Sequence, residues 1–113
     1  SHVVYEDIDP INPFPFSEQG IQFLRGQLGE DILIVTDDLL SEALLSEYII
    51  DEVGARAVNA GSEVLVVAGY HDTESVQEFY EGLMMVVKND RDLQSKVENA
   101  VRKIYEAKQE LFL

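Results

Sequence analysis

At 113 residues the chain is long enough to bury one core without disulfide or metal staples, and 46% apolar with 27% charged residues suits a globular domain rather than a disordered one. A net charge of −14 argues against nucleic acid or an anionic membrane as partner, since both need basic patches. The absence of cysteine excludes disulfides and thiolate metal sites, and no apolar run approaches the roughly 20 residues of a membrane span.

Most of the acidic residues read as solvated helix faces. The opening residues lack the pattern of a secretory leader, and Ser1-His-Val-Val-Tyr5 reads as the middle of a fold. Val3, Val4 and Tyr5 are β-formers and predict a short first strand. Residues 9–16 hold all three prolines and must be an extended, ordered loop. Ser17 is placed to cap a helix in which Ile21, Phe23, Leu24 and Leu28 recur at near-helical spacing, and Gly29 closes it.

Residues 32–35 are four apolar residues in a row, which suits a strand buried on both faces as in a parallel sheet covered by helices. Thr36, Asp37 and Asp38 fall where such a strand leaves the sheet, the end at which α/β folds place ligands and catalytic groups. Helices are expected over 39–48 and 51–59, the second stopping at Gly61. Residues 64–68 form another buried-type strand, with Gly69-Tyr-His-Asp72 at its carboxyl end. Thr73 caps a helix to about Lys88, and Asp90 or Asp92 starts a last helix with Leu93, Val97, Val101, Ile104 and Tyr105 in one stripe.

The order is β-α-β-α-β-α, so the strands should run parallel. Strands starting near positions 2, 32 and 63 give a repeat of about 30 residues, against roughly 31 for each unit of a (β/α)8 barrel of about 250 residues. A doubly wound sheet has similar units, and the spacing does not choose between them. Three parallel strands with open edges are small for either architecture.

Five pieces then fall into a consistent order: Ser1-His-Val-Val-Tyr-Glu-Asp-Ile-Asp9, Phe16-Ser-Glu-Gln-Gly-Ile-Gln-Phe-Leu-Arg25, Leu28-Gly-Glu-Asp-Ile-Leu-Ile-Val-Thr-Asp-Asp-Leu39, Ala55-Arg-Ala-Val-Asn-Ala-Gly61, and Val101-Arg-Lys-Ile-Tyr-Glu-Ala-Lys108. Together they resemble glycoside hydrolase family 3, in particular its β-N-acetylhexosaminidase branch. The resemblance implies that residues 1–113 are the last three βα units of a TIM (β/α)8 barrel, strands six to eight with flanking helices. It also implies a retaining hydrolase that removes β-linked N-acetylglucosamine from glycans such as peptidoglycan fragments.

For an Asp-Asp pair at a strand end with nothing else known, a helix cap or solvated turn is the commoner role. The resemblance instead makes Asp37 the nucleophile that attacks the anomeric carbon, a task for an ionised, rigidly held carboxylate. Asp38 is its structural partner, turned to cap the helix near Leu39, and stands with His2 among the substrate-binding residues. Tyr5 and Tyr70 are candidate rings flanking the sugar, while His71 reads as a surface residue.

The branch's general acid/base, a histidine paired with an aspartate in a motif after the fifth strand, has no match in this sequence. The chain alone is therefore expected to be inactive, with the amino-terminal remainder of the barrel as partner. No cofactor, metal, nucleic acid or membrane is expected. The compartment implied is the cytoplasm, with the periplasm or secretion as alternatives. Competing functions are a family 3 β-glucosidase and a non-enzymatic α/β module for assembly or binding.

Overall fold

The computed structural model describes residues 3–68 and 73–111. A single turn of 3-10 helix, Phe14–Phe16, leads into α1 (Glu18–Leu28), β1 (Val35–Asp38), α2 (Glu42–Leu45), α3 (Ile50–Ala60), β2 (Val64–Val66), α4 (Thr73–Asn89) and α5 (Arg91–Leu111). β1 and β2 pair in parallel, so the chain between them is a βαβ crossover carrying two helices.

Local chemistry sets the helix ends. Ser17 Oγ accepts from Gly20 N at 2.9 Å and caps α1. Gly29 and Gly61 end α1 and α3 at φ of 106° and 123°, a region that only glycine enters without strain. The Asp90 carboxylate accepts from Leu93 N at 3.1 Å and starts α5.

The core gathers Phe16, Leu39, Leu40, Leu44, Val53, Ala57 and Phe79, with Leu65 and Val67 of the β2 segment packed against it. A smaller cluster of Ile21, Ile34 and Ala60 joins α1 to the strands. Leu39 and Leu40 are fully buried, each contributing about 1.5–3 kcal/mol through removal of apolar surface from water. Helices α3 and α4 approach closely at two glycines. A Cβ on Gly82 would lie 2.6 Å from the Asp51 backbone, and one on Gly54 would lie 3.0 Å from the Phe79 ring.

Three expectations change. Among the described residues the sheet has two strands, because the Val3–Tyr5 segment does not join it. The Tyr5 carbonyl accepts from Ile8 N and Asp9 N at 2.9 Å, which turns the chain at once, and Val3 O accepts from Phe14 N at 3.0 Å. The Tyr5 ring packs edge-on against Phe14, 5.8 Å between centroids. The second change is that β1 begins three residues later than its apolar run. Ile32 O and Ile34 N are held by the side chains of Arg25 and Glu63 instead of by a neighbouring strand.

Third, the helix expected over 39–48 contracts to one turn. Leu39 and Leu40 are drawn into the core as an irregular segment, and Ser41 caps α2 by accepting from Leu44 N at 3.4 Å.

Candidate active site

The site lies at the carboxyl ends of β1 and β2. Val35 pairs with Val64 and Asp38 with Val66, so β1 advances three residues where β2 advances two. That extra residue is a bulge, uncommon in a parallel pair and a usual device for re-aiming a side chain beside a functional site. Along β1 the exposure alternates: Val35 is 56% exposed, Thr36 is 8% exposed, and Asp37 is again exposed. Thr36 therefore turns into the fold while Val35 and Asp37 share the open side.

Hydrogen bonds fix this arrangement. Val66 N donates to Thr36 Oγ1 at 2.9 Å, and Leu39 N donates to Val66 O at 2.9 Å as β1 ends. Asp37 Oδ1 accepts from the next backbone amide, Asp38 N, at 2.9 Å. Asp38 Oδ1 accepts from Leu40 N and from Ala68 N, both at 3.0 Å, and so ties the turn after β1 to the chain leaving β2. The expectation that Asp38 caps a helix is corrected: the helix starts later, at Glu42, and Ser41 is its cap.

Asp37 borders a cavity of about 440 Å³ whose walls include Tyr5, Phe14, Phe23, Leu24 and Ile34. Among the described residues that line it, Asp37 is the one carboxylate and no histidine is present. The structure thus brings Asp37 and Tyr5 to one cavity and turns Asp38 towards the backbone of β2. His2, Tyr70 and His71 lie outside the described residues. No group of acidic or histidine side chains suited to a metal occurs among the described residues.

Two acids that hold the surrounding structure escaped the sequence reasoning. Asp9 is 3% exposed, and its carboxylate accepts from Ile11 N at 3.0 Å, Asn12 N at 3.1 Å and Asn12 Nδ2 at 3.1 Å. These bonds, the Ile11 amide first, hold its carboxyl well below the usual carboxylate range, at about 2. Asp9 is thereby the organiser of the proline-rich loop that forms one wall beside Tyr5. The signal for it was the Asp-Pro-Ile-Asn pattern, an Asx turn.

The second is Glu63, at the opposite end of the strands. Its side chain, 5% exposed, pairs with Arg25 and with Lys103 Nζ at 3.2 Å, and its Oε2 accepts from Ile34 N at 2.7 Å. Arg25 also donates to Ile32 O at 2.9 Å and Gly61 O at 2.8 Å.

Comparison with known proteins places the chain in a family. The family model "Glycosyl hydrolase family 3 N terminal domain" matches residues 1–107. The chain is similar to a β-N-acetylhexosaminidase from Beutenbergia cavernae DSM 12333, at 30% identity and a TM-score of 0.85, covering 96% of this chain and 32% of that one. It is similar to a glycoside hydrolase family 3 β-N-acetylglucosaminidase from Paenibacillus sp. str. FPU-7, at 29% identity and 0.85, covering 96% and 21%. A β-N-acetylglucosaminidase from Thermotoga maritima follows at 25% identity and 0.78, covering 94% and 23%. The chain thus spans between a fifth and a third of the length of these relatives.

Proposed function

Because the chain belongs to glycosyl hydrolase family 3, we propose that it supplies the nucleophile-bearing part of a retaining β-N-acetylglucosaminidase, as the last three βα units of a (β/α)8 barrel. The observation that carries this is Asp37, set at the carboxyl end of β1 and facing an apolar cavity, with one carboxylate oxygen held by the following amide. A carboxylate so held is oriented before substrate arrives, which is what covalent catalysis requires.

In this reading a carboxylate oxygen of Asp37 attacks the anomeric carbon as the bond from that carbon to the leaving oxygen breaks. The leaving oxygen takes a proton from a general acid contributed from outside residues 1–113. Water, giving its proton to the same group, then attacks the anomeric carbon, and Asp37 departs as carboxylate with the sugar's configuration retained. Asp38 acts by shaping the loop that borders the sugar, through its bonds to Leu40 N and Ala68 N. The named activities of the similar proteins support β-linked N-acetylglucosamine as the sugar removed, and in this reading the glycans are of the kind found in peptidoglycan fragments.

A chain inactive by itself is supported by the sequence, in which nothing matches the branch's histidine-bearing acid/base motif. Support for a larger assembly comes from apolar side chains left in solvent, among them Val35, Phe23 and Leu28 near the strands and Tyr80 and Met85 on α4. The test is turnover of an aryl N-acetyl-β-glucosaminide by the 113-residue chain, alone and joined to the rest of its barrel. The joined protein should turn over and the chain alone should not. Activity of the isolated chain, or full activity of the joined protein with Asp37→Asn, would refute the proposal. An aryl β-glucoside in parallel decides between the two sugar classes.

A further inference from the structure

We infer that Thr36 is a positioning residue for Asp37, and that its hydroxyl, rather than its bulk, does the positioning. The inference rests on Asp37 being the nucleophile. In an unbroken parallel ladder the Val66 amide donates to a carbonyl of the facing strand. Here it reaches Thr36 Oγ1 at 2.9 Å. The side chain of Thr36 thus adds an acceptor to the strand pairing at the point where β1 carries one residue more than β2.

Three consequences follow from that one bond. It gives the Val66 amide a side-chain acceptor on β1 where the register shifts. It pins Thr36 inward, which by alternation turns Asp37 outward to the cavity. It also sets β1 to resume pairing one residue late, so that Asp38 comes level with Val66 and its Oδ1 reaches Ala68 N. The orientation of the Asp37 carboxylate, held by Asp38 N at 2.9 Å, is therefore inherited from the Thr36 hydroxyl through two further hydrogen bonds. A β-branched residue without the hydroxyl fills the same space and still favours a strand, but lacks the oxygen that Val66 N reaches.

The experiment compares Thr36→Val with Thr36→Ser in the complete, barrel-joined protein. Valine should lower kcat for an aryl N-acetyl-β-glucosaminide about 10- to 100-fold with KM little changed, the size expected for a misplaced reacting group. Serine, which keeps the oxygen, should hold kcat within about threefold. A valine variant with wild-type kcat, or a serine variant that loses as much as valine, overturns the inference.

Where valine prevents folding, the serine variant decides: retained kcat supports the inference and a tenfold fall overturns it. A readout independent of turnover is amide hydrogen exchange at Val66 in the 113-residue chain. It should quicken at least about tenfold in Thr36→Val and stay near wild type in Thr36→Ser. Unchanged exchange in the valine variant overturns the positioning role. Absence of turnover in the wild-type joined protein would instead overturn the hydrolase reading and leave the exchange result to judge Thr36.

Discussion

Two acids stand at opposite ends of the same pair of strands and live in opposite surroundings. Glu63, before β2, has both side-chain oxygens engaged, by Arg25 and Lys103 on one and Ile34 N on the other, and it is almost wholly out of solvent. Asp37, at the end of β1, is exposed and opens onto a cavity walled mostly by apolar groups. The difference teaches how one α/β unit divides its labour. At the amino ends of the strands the paired charges tie α1, α5 and both strands together, while at the carboxyl end of β1 the Asp37 side chain borders the cavity. A buried, fully partnered carboxylate is poorly suited to attack a substrate, and an exposed one contributes little to folding.

Substitutions should separate the two ends. The largest effect expected is on chemistry. Asp37→Asn in the barrel-joined protein should cut turnover of an aryl N-acetyl-β-glucosaminide by at least about a thousandfold, near 4 kcal/mol of barrier. Next comes Glu63→Ala, which leaves the Arg25 guanidinium buried without its carboxylate and should lower stability by about 3–5 kcal/mol in urea unfolding of the 113-residue chain. A Glu63→Ala variant as stable as wild type would erase the contrast between the ends.

Smaller still is the acid sensitivity conferred by Asp9. Its carboxyl is depressed to about 2 in the fold, against about 3.9 when unfolded. The stabilisation is therefore complete above about pH 4 and is lost as pH falls from about 4 to 2. The gap in unfolding midpoint between wild type and Asp9→Asn should be widest above pH 5 and close over that window. The smallest effect is the one that sharpens the contrast most: Asp37→Asn should leave urea unfolding of the chain within about 0.5 kcal/mol of wild type.

What could be read from the sequence was what neighbours in sequence decide. The caps at Ser17 and Asp90 and the stops at Gly29 and Gly61 follow from side chains and dihedrals within one turn, and α1, α3, α4 and α5 fall close to where those signals put them. The two strands were legible as apolar runs, but an apolar run reports burial and not ladder bonds. Hence β1 begins at Val35, after a segment that side chains from α1 and Glu63 hold in place.

The placement of Asp37 at a strand end was visible. The register shift beside it was not, because it depends on how residues 35–38 pair with residues 64–66. Glu63 was passed over for the same reason: an acid before a strand looks solvated until Arg25, 38 positions away, is folded onto it.

The glycine at position 82 carries a last consequence. A Cβ there would collide with the Asp51 backbone, which a flexible side chain cannot relieve by turning aside. Alanine would be the better helix former by about 1 kcal/mol, yet here it would wedge α4 away from α3. The usual route to a sturdier helix is closed at this site, and the two helices form a matched cassette: an engineer grafting one into another scaffold has to carry the other with it.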